Sequence, residues 1–257
     1  MSKKELVSAI AAQSKSALDD IFERGTLRVA VTWMGTPDTG APPEFYHDPE
    51  TGEAKGIGCE VGRMIAEGLG VEVEFVDMPW GDHLDALLDG RVDICPKHTN
   101  IPDRGLMIDF AQKLMAFEVI CLVKDDSPFQ TVEDVNKEGI KIACWTGSSC
   151  IEVAENNFPK ASIVECANTM QPVEDKTLDA CVTDAITKIA MEKHPNLRPL
   201  RNADGSLLIL AKEYGKPAIR PLDPRFLNWL NNWIDYMWEL GPLKELCVDW
   251  WNGLMVE

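Results

Sequence analysis

The chain has 257 residues, 45% hydrophobic and 26% charged, with a formal net charge of -17. That length and apolar content suffice for one large or two modest globular domains. The acidic balance argues against nucleic acid or an anionic membrane surface as a partner, since both need clustered Lys and Arg, and no apolar run approaches the roughly 18 residues of a membrane-spanning helix.

The chain opens with Met1-Ser-Lys-Lys-Glu5, like a signal peptide, but the apolar core of one is missing: Leu6 to Ala12 is short and leads into Gln13-Ser-Lys15. Residues 1–24 read instead as an amphipathic helix with Leu6, Ile10, Leu18, Ile21 and Phe22 near one face. The expectation is either a chain whose export signal has been removed or one that stays inside the cell. The strand 25–31 follows, then a Gly- and Pro-rich loop over 32–50 that contains Trp33 and Pro42-Pro-Glu-Phe45. Val61, Met64, Ile65 and Leu69 repeat at helical spacing, and residues 71–76 alternate apolar and acidic as a half-buried strand should. Trp80 sits in Met78-Pro-Trp80 ahead of a helix over 82–88, and Gly90 leads to the strand 92–95. Strand, helix, strand, helix, strand in this order predicts a parallel sheet with flanking helices.

Past Ile94 comes a loop, and Ile101-Pro-Asp-Arg104 then opens a helical turn. Proline suits a first turn, where its missing N–H costs nothing, and an acidic neighbour suits the positive end of the helix dipole. A Thr hydroxyl, a guanidinium and free N–H groups on one short segment suit a carboxylate, because Arg offers a planar bidentate fork. Read alone, the same residues also suit a solvated Arg in a helix cap. Residues 117–123 form a nearly unbroken apolar strand. A helical turn at 132–135, a strand at 140–144, a helix from Ser149 to about Asn156, a strand at 162–166, a helix around Val173, a strand at 178–182 and a helix to about Lys193 repeat the alternation. Residues 207–211 are apolar. Phe226, Leu230, Trp233, Ile234 and Met237 share one helix face, and Leu243, Leu246, Cys247 and Trp250 share another; both sets read as core.

Eight cysteines (Cys59, Cys95, Cys121, Cys144, Cys150, Cys166, Cys181 and Cys247) contain no Cys-x-x-Cys pair, and no His lies at zinc spacing, so no structural metal is expected. Most lie in apolar strands, where Cys acts as a small buried hydrophobe, and so many unpaired thiols fit a reducing compartment. His47, His83, His98 and His194 suggest no triad or metal set.

Thr99-Asn-Ile-Pro-Asp-Arg104, followed by Met107-Ile-Asp-Phe110, resembles the Thr-Ile-Thr-Pro-Glu-Arg and Asp-Phe pattern of the family-3 extracellular solute-binding proteins, the amino-acid receptors of ABC transporters. The resemblance covers about residues 23–252, and it implies a two-lobed α/β fold of the second periplasmic-binding-protein type, with a mainly parallel sheet in each lobe. Residues 25–117 and 209–257 would form one lobe and 118–208 the other, behind the N-terminal helix 1–24, with two crossings between lobes near 117–123 and 207–211. It implies reversible binding of an amino acid or related small carboxylate, without chemistry and without a cofactor. Thr99, Arg104 and Gly147-Ser148-Ser149 would hold the α-carboxylate, Asp184 the α-ammonium, and Trp80 would cover the ligand. Trp33 lies in the loop that carries an aromatic and a Pro-Pro-Phe-like motif in the family; Glu44 interrupts that motif here. Implied partners are ABC transporter membrane subunits. A monomer is expected, and the family's compartment is the periplasm, although the cysteines and the missing signal core fit the cytoplasm.

Two departures matter. Thr183-Asp-Ala-Ile186 and His194-Pro195 also resemble cyclohexadienyl dehydratase, a lyase on the same fold, but its proton-donating Glu is replaced by Thr187, which cannot act as a general acid near neutral pH. Lys97 occupies a position that is usually small in the family. An extended backbone points Lys97 and Thr99 the same way and His98 the opposite way. Lys97 is therefore expected to face the cleft beside Asp184, adding a second cation that would favour an acidic amino acid or a dicarboxylate; the alternative is that its stem bends out to solvent.

Overall fold

The computed structural model describes residues 16–33, 44–184, 191–192 and 194–250, with the backbone alone at 249–250. The expectations for Leu6 and Ile10, Pro42-Pro43, Thr187, the body of the helix running to Lys193 and the Trp250 side chain fall outside the described residues.

The first helix, α1 (Ala17–Arg24), is capped by Ser16, whose Oγ accepts from the Leu18 N–H, and it stops at Gly25 with φ 71°, where a glycine meets no Cβ penalty. Leu18 and Ile21 are buried as expected, but Phe22 is 50% exposed, so the apolar face is narrower than the sequence implied. β1 (Thr26–Val31), the small β2 (Tyr46–His47) and β3 (Ala54–Lys55) hairpin, α2 (Ile57–Leu69), β4 (Glu72–Asp77), a 3-10 turn at Trp80–Asp82, α3 (His83–Leu88), β5 (Cys95–Thr99), α4 (Pro102–Gly105), β6 (Asp109–Phe110) and β7 (Met115–Lys124) follow. Then come α5 (Val132–Val135), β8 (Lys141–Trp145), α6 (Cys150–Asn157), β9 (Ser162–Cys166), α7 (Gln171–Glu174), β10 (Ala180–Asp184), β11 (Leu197–Pro199), β12 (Ile209–Ile219), α8 (Pro224–Glu239) and a π-helical turn at Glu245–Trp250.

β1 and β4 pair in parallel from Thr26↔Glu72 to Val31↔Asp77, and Val29 bridges Ile94 in parallel. The larger sheet is mixed, in the order β5-β12-β7-β10-β8-β9, with β6 on β12 and β11 on β7. β8 has parallel neighbours on both sides, whereas β7 and β12 run antiparallel to theirs. The expected parallel pairs are thus present, joined through two long antiparallel strands that make the larger sheet mixed. β7 is the seam. Met115 to Ile120 pair with β12, while Val119 to Val123 pair with β10. One apolar core gathers Leu27, Val29, Ile57, Ile65, Phe226 and Trp233 at one end of these strands. Another gathers Val119, Cys121, Ile142, Phe158 and Val182 at the other end.

Two strand assignments differ from the sequence reading. The expected strand at 92–95 begins in fact at Cys95 and runs to Thr99, because Gly215↔Thr99, Lys216↔His98 and Ala218↔Cys95 pair with β12. The apolar stretch expected at 207–211 extends to Ile219. In both cases ladder hydrogen bonds to a distant strand hold polar residues extended, which a local apolar pattern does not reveal.

Candidate functional site

A cavity of about 350 Å³ is present, a volume suited to a small ligand. Trp33, Trp80, Lys97, Thr99, Arg104, Ser148, Ser149 and Asp184, the eight residues singled out in the sequence, all line it. Glu44, Trp145, Thr183 and His194 complete its polar and aromatic lining, with the segment Ala167–Met170. β5 explains part of this. Lys97 and Thr99 reach the cavity from one face of the strand, and His98 packs on the other face, where Trp80 stacks on it with ring centroids 4.2 Å apart. Trp33 packs against His47, with centroids 4.0 Å apart.

Arg104 is buried. Its Nη1 donates to the Thr99 carbonyl and its Nη2 to the Gly147 carbonyl, both at 3.0 Å, so the guanidinium ties the α4 side of the cavity to the start of α6. Burial lowers its pKa, partly offset by the Glu213 carboxylate. Ser149 occupies the N-cap position of α6 but makes no capping bond. Its Oγ donates instead to Glu213 Oε2 at 2.6 Å, and Thr99 Oγ1 donates to the same oxygen at 3.2 Å. The two hydroxyls expected to meet a ligand carboxylate already hold a protein carboxylate. Glu213 lies behind them, on β12, and faces a second cavity of about 270 Å³. Burial raises its pKa, with the two hydroxyls and Arg104 acting in the opposite direction.

Lys97 faces the cavity, as expected, but its ammonium donates to the Glu44 carboxylate and lies over the Phe117 ring, 4.3 Å from the centroid. Both charged side chains are buried, with 4% and 3% of their area exposed. Burial works against the Lys97 charge, but Glu44, with Asp184 and Glu213 beyond, raises its pKa overall; burial raises that of Glu44. Glu44 Oε2 accepts no hydrogen bond among the described residues. The expectation of Lys97 as a spare cation beside Asp184 is thus corrected, because its charge is matched by Glu44. Neither Glu44 nor Glu213 was singled out in the sequence. For Glu44 a signal existed: the acid that interrupts one motif and the lysine that departs from another are each other's partners.

Behind Trp80 lies a second group of polar side chains. His83 Nδ1 and His98 Nε2 lie 3.3 Å apart, and with Cys95 Sγ these buried donor atoms all fall within 4.8 Å of one another. All eight cysteines are free thiols.

Residues 33–253 match the family described as bacterial extracellular solute-binding proteins, family 3. The chain is 24% identical over 265 residues to a cyclohexadienyl dehydratase of Pseudomonas aeruginosa, covering 95% of this chain and 90% of the relative. It is 25% identical over 248 residues to the L-cystine-binding protein TcyA of Bacillus subtilis, covering 93% and 88%. The crystal structure of the ancestral amino acid-binding protein AncCDT-1, a precursor of cyclohexadienyl dehydratase, superimposes with a TM-score of 0.78 at 31% identity, covering 92% of this chain and 100% of that one.

Proposed function

The chain belongs to family 3 of the bacterial extracellular solute-binding proteins, and from that premise we propose that it binds an amino acid reversibly in the 350 Å³ cavity, as the solute receptor of an ABC-type uptake system. The observation that carries this reading is that a buried cation, Arg104, and a carboxylate, Asp184, line the same cavity. A zwitterion spans that pair. Arg104 has five N–H donors and uses two on carbonyls, leaving three for the ligand's α-carboxylate. The ligand ammonium faces Asp184. In this reading residues 25–117 with 209–257 form one lobe and 118–208 the other, β7 and β12 being the crossings. A ligand that touches both lobes favours the closed arrangement, which gives closure a cause.

The charge of the wall narrows the ligand. Lys97 and Arg104 are balanced by Glu44 and Asp184, and Glu213 behind Thr99 and Ser149 adds a further negative charge. The ligand is therefore a neutral or cationic amino acid rather than the acidic one or dicarboxylate that Lys97 alone suggested. A thermal-shift screen of amino acids and small organic acids tests this reading. A ligand at 100 times its dissociation constant should add about 2.7 kcal/mol, and stabilisation by dicarboxylates alone would contradict it.

One observation favours a second reading, a lyase of the dehydratase kind. Glu44 is a carboxyl on the cavity wall whose pKa is raised by burial, as a proton donor requires. Against it stand the tight pairing of that group with Lys97 and the Thr187 replacement. Incubation with prephenate or arogenate separates the two readings: binding without chemistry yields no aromatic product above background.

A further inference from the structure

We propose that His83, Cys95 and His98 form a binding site for one copper(I) ion, buried behind Trp80 and separate from the ligand cavity. The spacing suits a metal. Two imidazole nitrogens each about 2.0–2.1 Å from one ion stand ~3.3–3.4 Å apart at a tetrahedral angle and ~3.5–3.6 Å apart at the roughly 120° of a three-coordinate ion, and His83 Nδ1 and His98 Nε2, at 3.3 Å, need to open by only a few tenths of an ångström. The thiol closes the set, with all three donor atoms within 4.8 Å of one another.

The outer partners orient the ligands. Thr32 Oγ1 donates its proton to the Met78 carbonyl at 2.7 Å and lies 2.9 Å from His83 Nε2. Its own proton being used, Oγ1 accepts from His83 Nε2–H, and the Val31 carbonyl also accepts from the ring, so the Nδ1 lone pair is left facing His98. Metal-binding histidines are held in this way, through the ring nitrogen that does not bind. His98 Nε2–H then donates to His83 Nδ1, and His98 Nδ1 has no partner among the described residues. Moving the His98 proton from Nε2 to Nδ1 breaks only the His83–His98 bond, which the ion replaces. Neutral imidazole is the ligand form.

Charge and softness select the ion. The site lies against Ala30, Met78, Ala86 and Leu87, an apolar core. One thiolate and two neutral imidazoles carry a single negative charge, so a monovalent cation leaves the site neutral, whereas zinc(II) would leave a net charge buried without a partner. A thiolate also prefers copper(I). At rest Cys95 is a thiol whose S–H points to the His83 carbonyl at 3.6 Å, its pKa raised by burial. Binding replaces the S–H bond with a sulfur–copper bond and releases one proton to solvent, with no change in oxidation state.

The test uses the full chain under anaerobic, reducing, thiol-free conditions, titrated with copper(I) held by a chromophoric chelator such as bicinchoninate. The wild type should withdraw one equivalent, and X-ray absorption should report two nitrogen ligands and one sulfur. Thr32→Val should weaken binding by about 10–100-fold through loss of the outer partner, and Cys95→Ser by more. No copper withdrawn, an all-sulfur coordination shell, or full stoichiometry retained in Cys95→Ser would overturn the site, the last two by placing the ion on other cysteines. If Cys95→Ser fails to fold, the wild-type absorption spectrum and Thr32→Val still decide.

Discussion

Removing Glu44 while keeping Lys97 leaves an ammonium buried without its carboxylate. Lys97 is 3% exposed and its Nζ lies over the Phe117 ring. Breaking one partner of a buried pair costs ~3–5 kcal/mol. The upper bound follows from neutralising the amine instead: from its ordinary value of 10.5 to pH 7 is about 3.5 units, and at about 1.36 kcal/mol per unit this gives ~4.8 kcal/mol. Glu44→Ala should therefore lower the urea-extrapolated unfolding free energy by about 3–5 kcal/mol at neutral pH. Two further outcomes identify the cause. Glu44→Ala with Lys97→Met should recover most of the loss, because an apolar pair of similar volume replaces the ionic one without penalty. In Glu44→Ala alone, the folded-state Lys97 pKa falls from its wild-type position, with Asp184 and Glu213 still raising it, so the stability of the variant relative to wild type should rise as pH increases through that range. A loss below about 1 kcal/mol, or no recovery in the double variant, would refute the argument that the pair is buried and mutually dependent.

Three further outcomes follow from the same structure. The Glu213 carboxyl is raised above its ordinary 4.5 by burial, so the folded chain holds that proton longer than the unfolded one and stability is lost as pH rises from 4.5 through the folded value; the stability of wild type minus Glu213→Gln, from urea midpoints at several pH values, should fall with rising pH, and a flat difference would contradict it. A Cβ at Gly58 would lie 2.1 Å from Phe45 Cε1, so Gly58→Ala should cost ~1–3 kcal/mol and, by displacing the neighbour of Glu44, weaken ligand binding in calorimetry. Asp223 accepts from Ala17 N, Ser16 Oγ and Phe226 N, capping both α1 and α8, and at about 0.5–2 kcal/mol per cap Asp223→Ala should cost ~1–4 kcal/mol in thermal or urea unfolding.

Elements whose burial is periodic and local were legible in the sequence. The Val61, Ile65 and Leu69 stripe is the buried face of α2, and Phe226, Leu230, Trp233 and Ile234 that of α8. The apolar strand at 117–123 lies within β7, and the strand at 162–166 coincides with β9. Polar strand ends were not legible. Lys97, His98 and Thr99 are extended because β12 pairs with them, and β12 carries Lys212, Glu213 and Lys216, which hide its strand character. The cavity lining was legible as a set of positions, from motif resemblance, but its electrostatics were not. Lys97 and Glu44 are 53 residues apart and Ser149 and Glu213 are 64 apart, and nothing local pairs them.

Arg104 is expected to hold the carboxylate of an amino acid in this cavity, and calorimetric titration of wild type and Arg104→Ala, with whichever amino acid stabilises the wild type in the screen, decides whether it does. Losing a buried, charge-assisted partner should weaken binding by ~2–5 kcal/mol, about 30-fold or more, in a variant that still unfolds cooperatively. Unchanged affinity in a folded Arg104→Ala would contradict it.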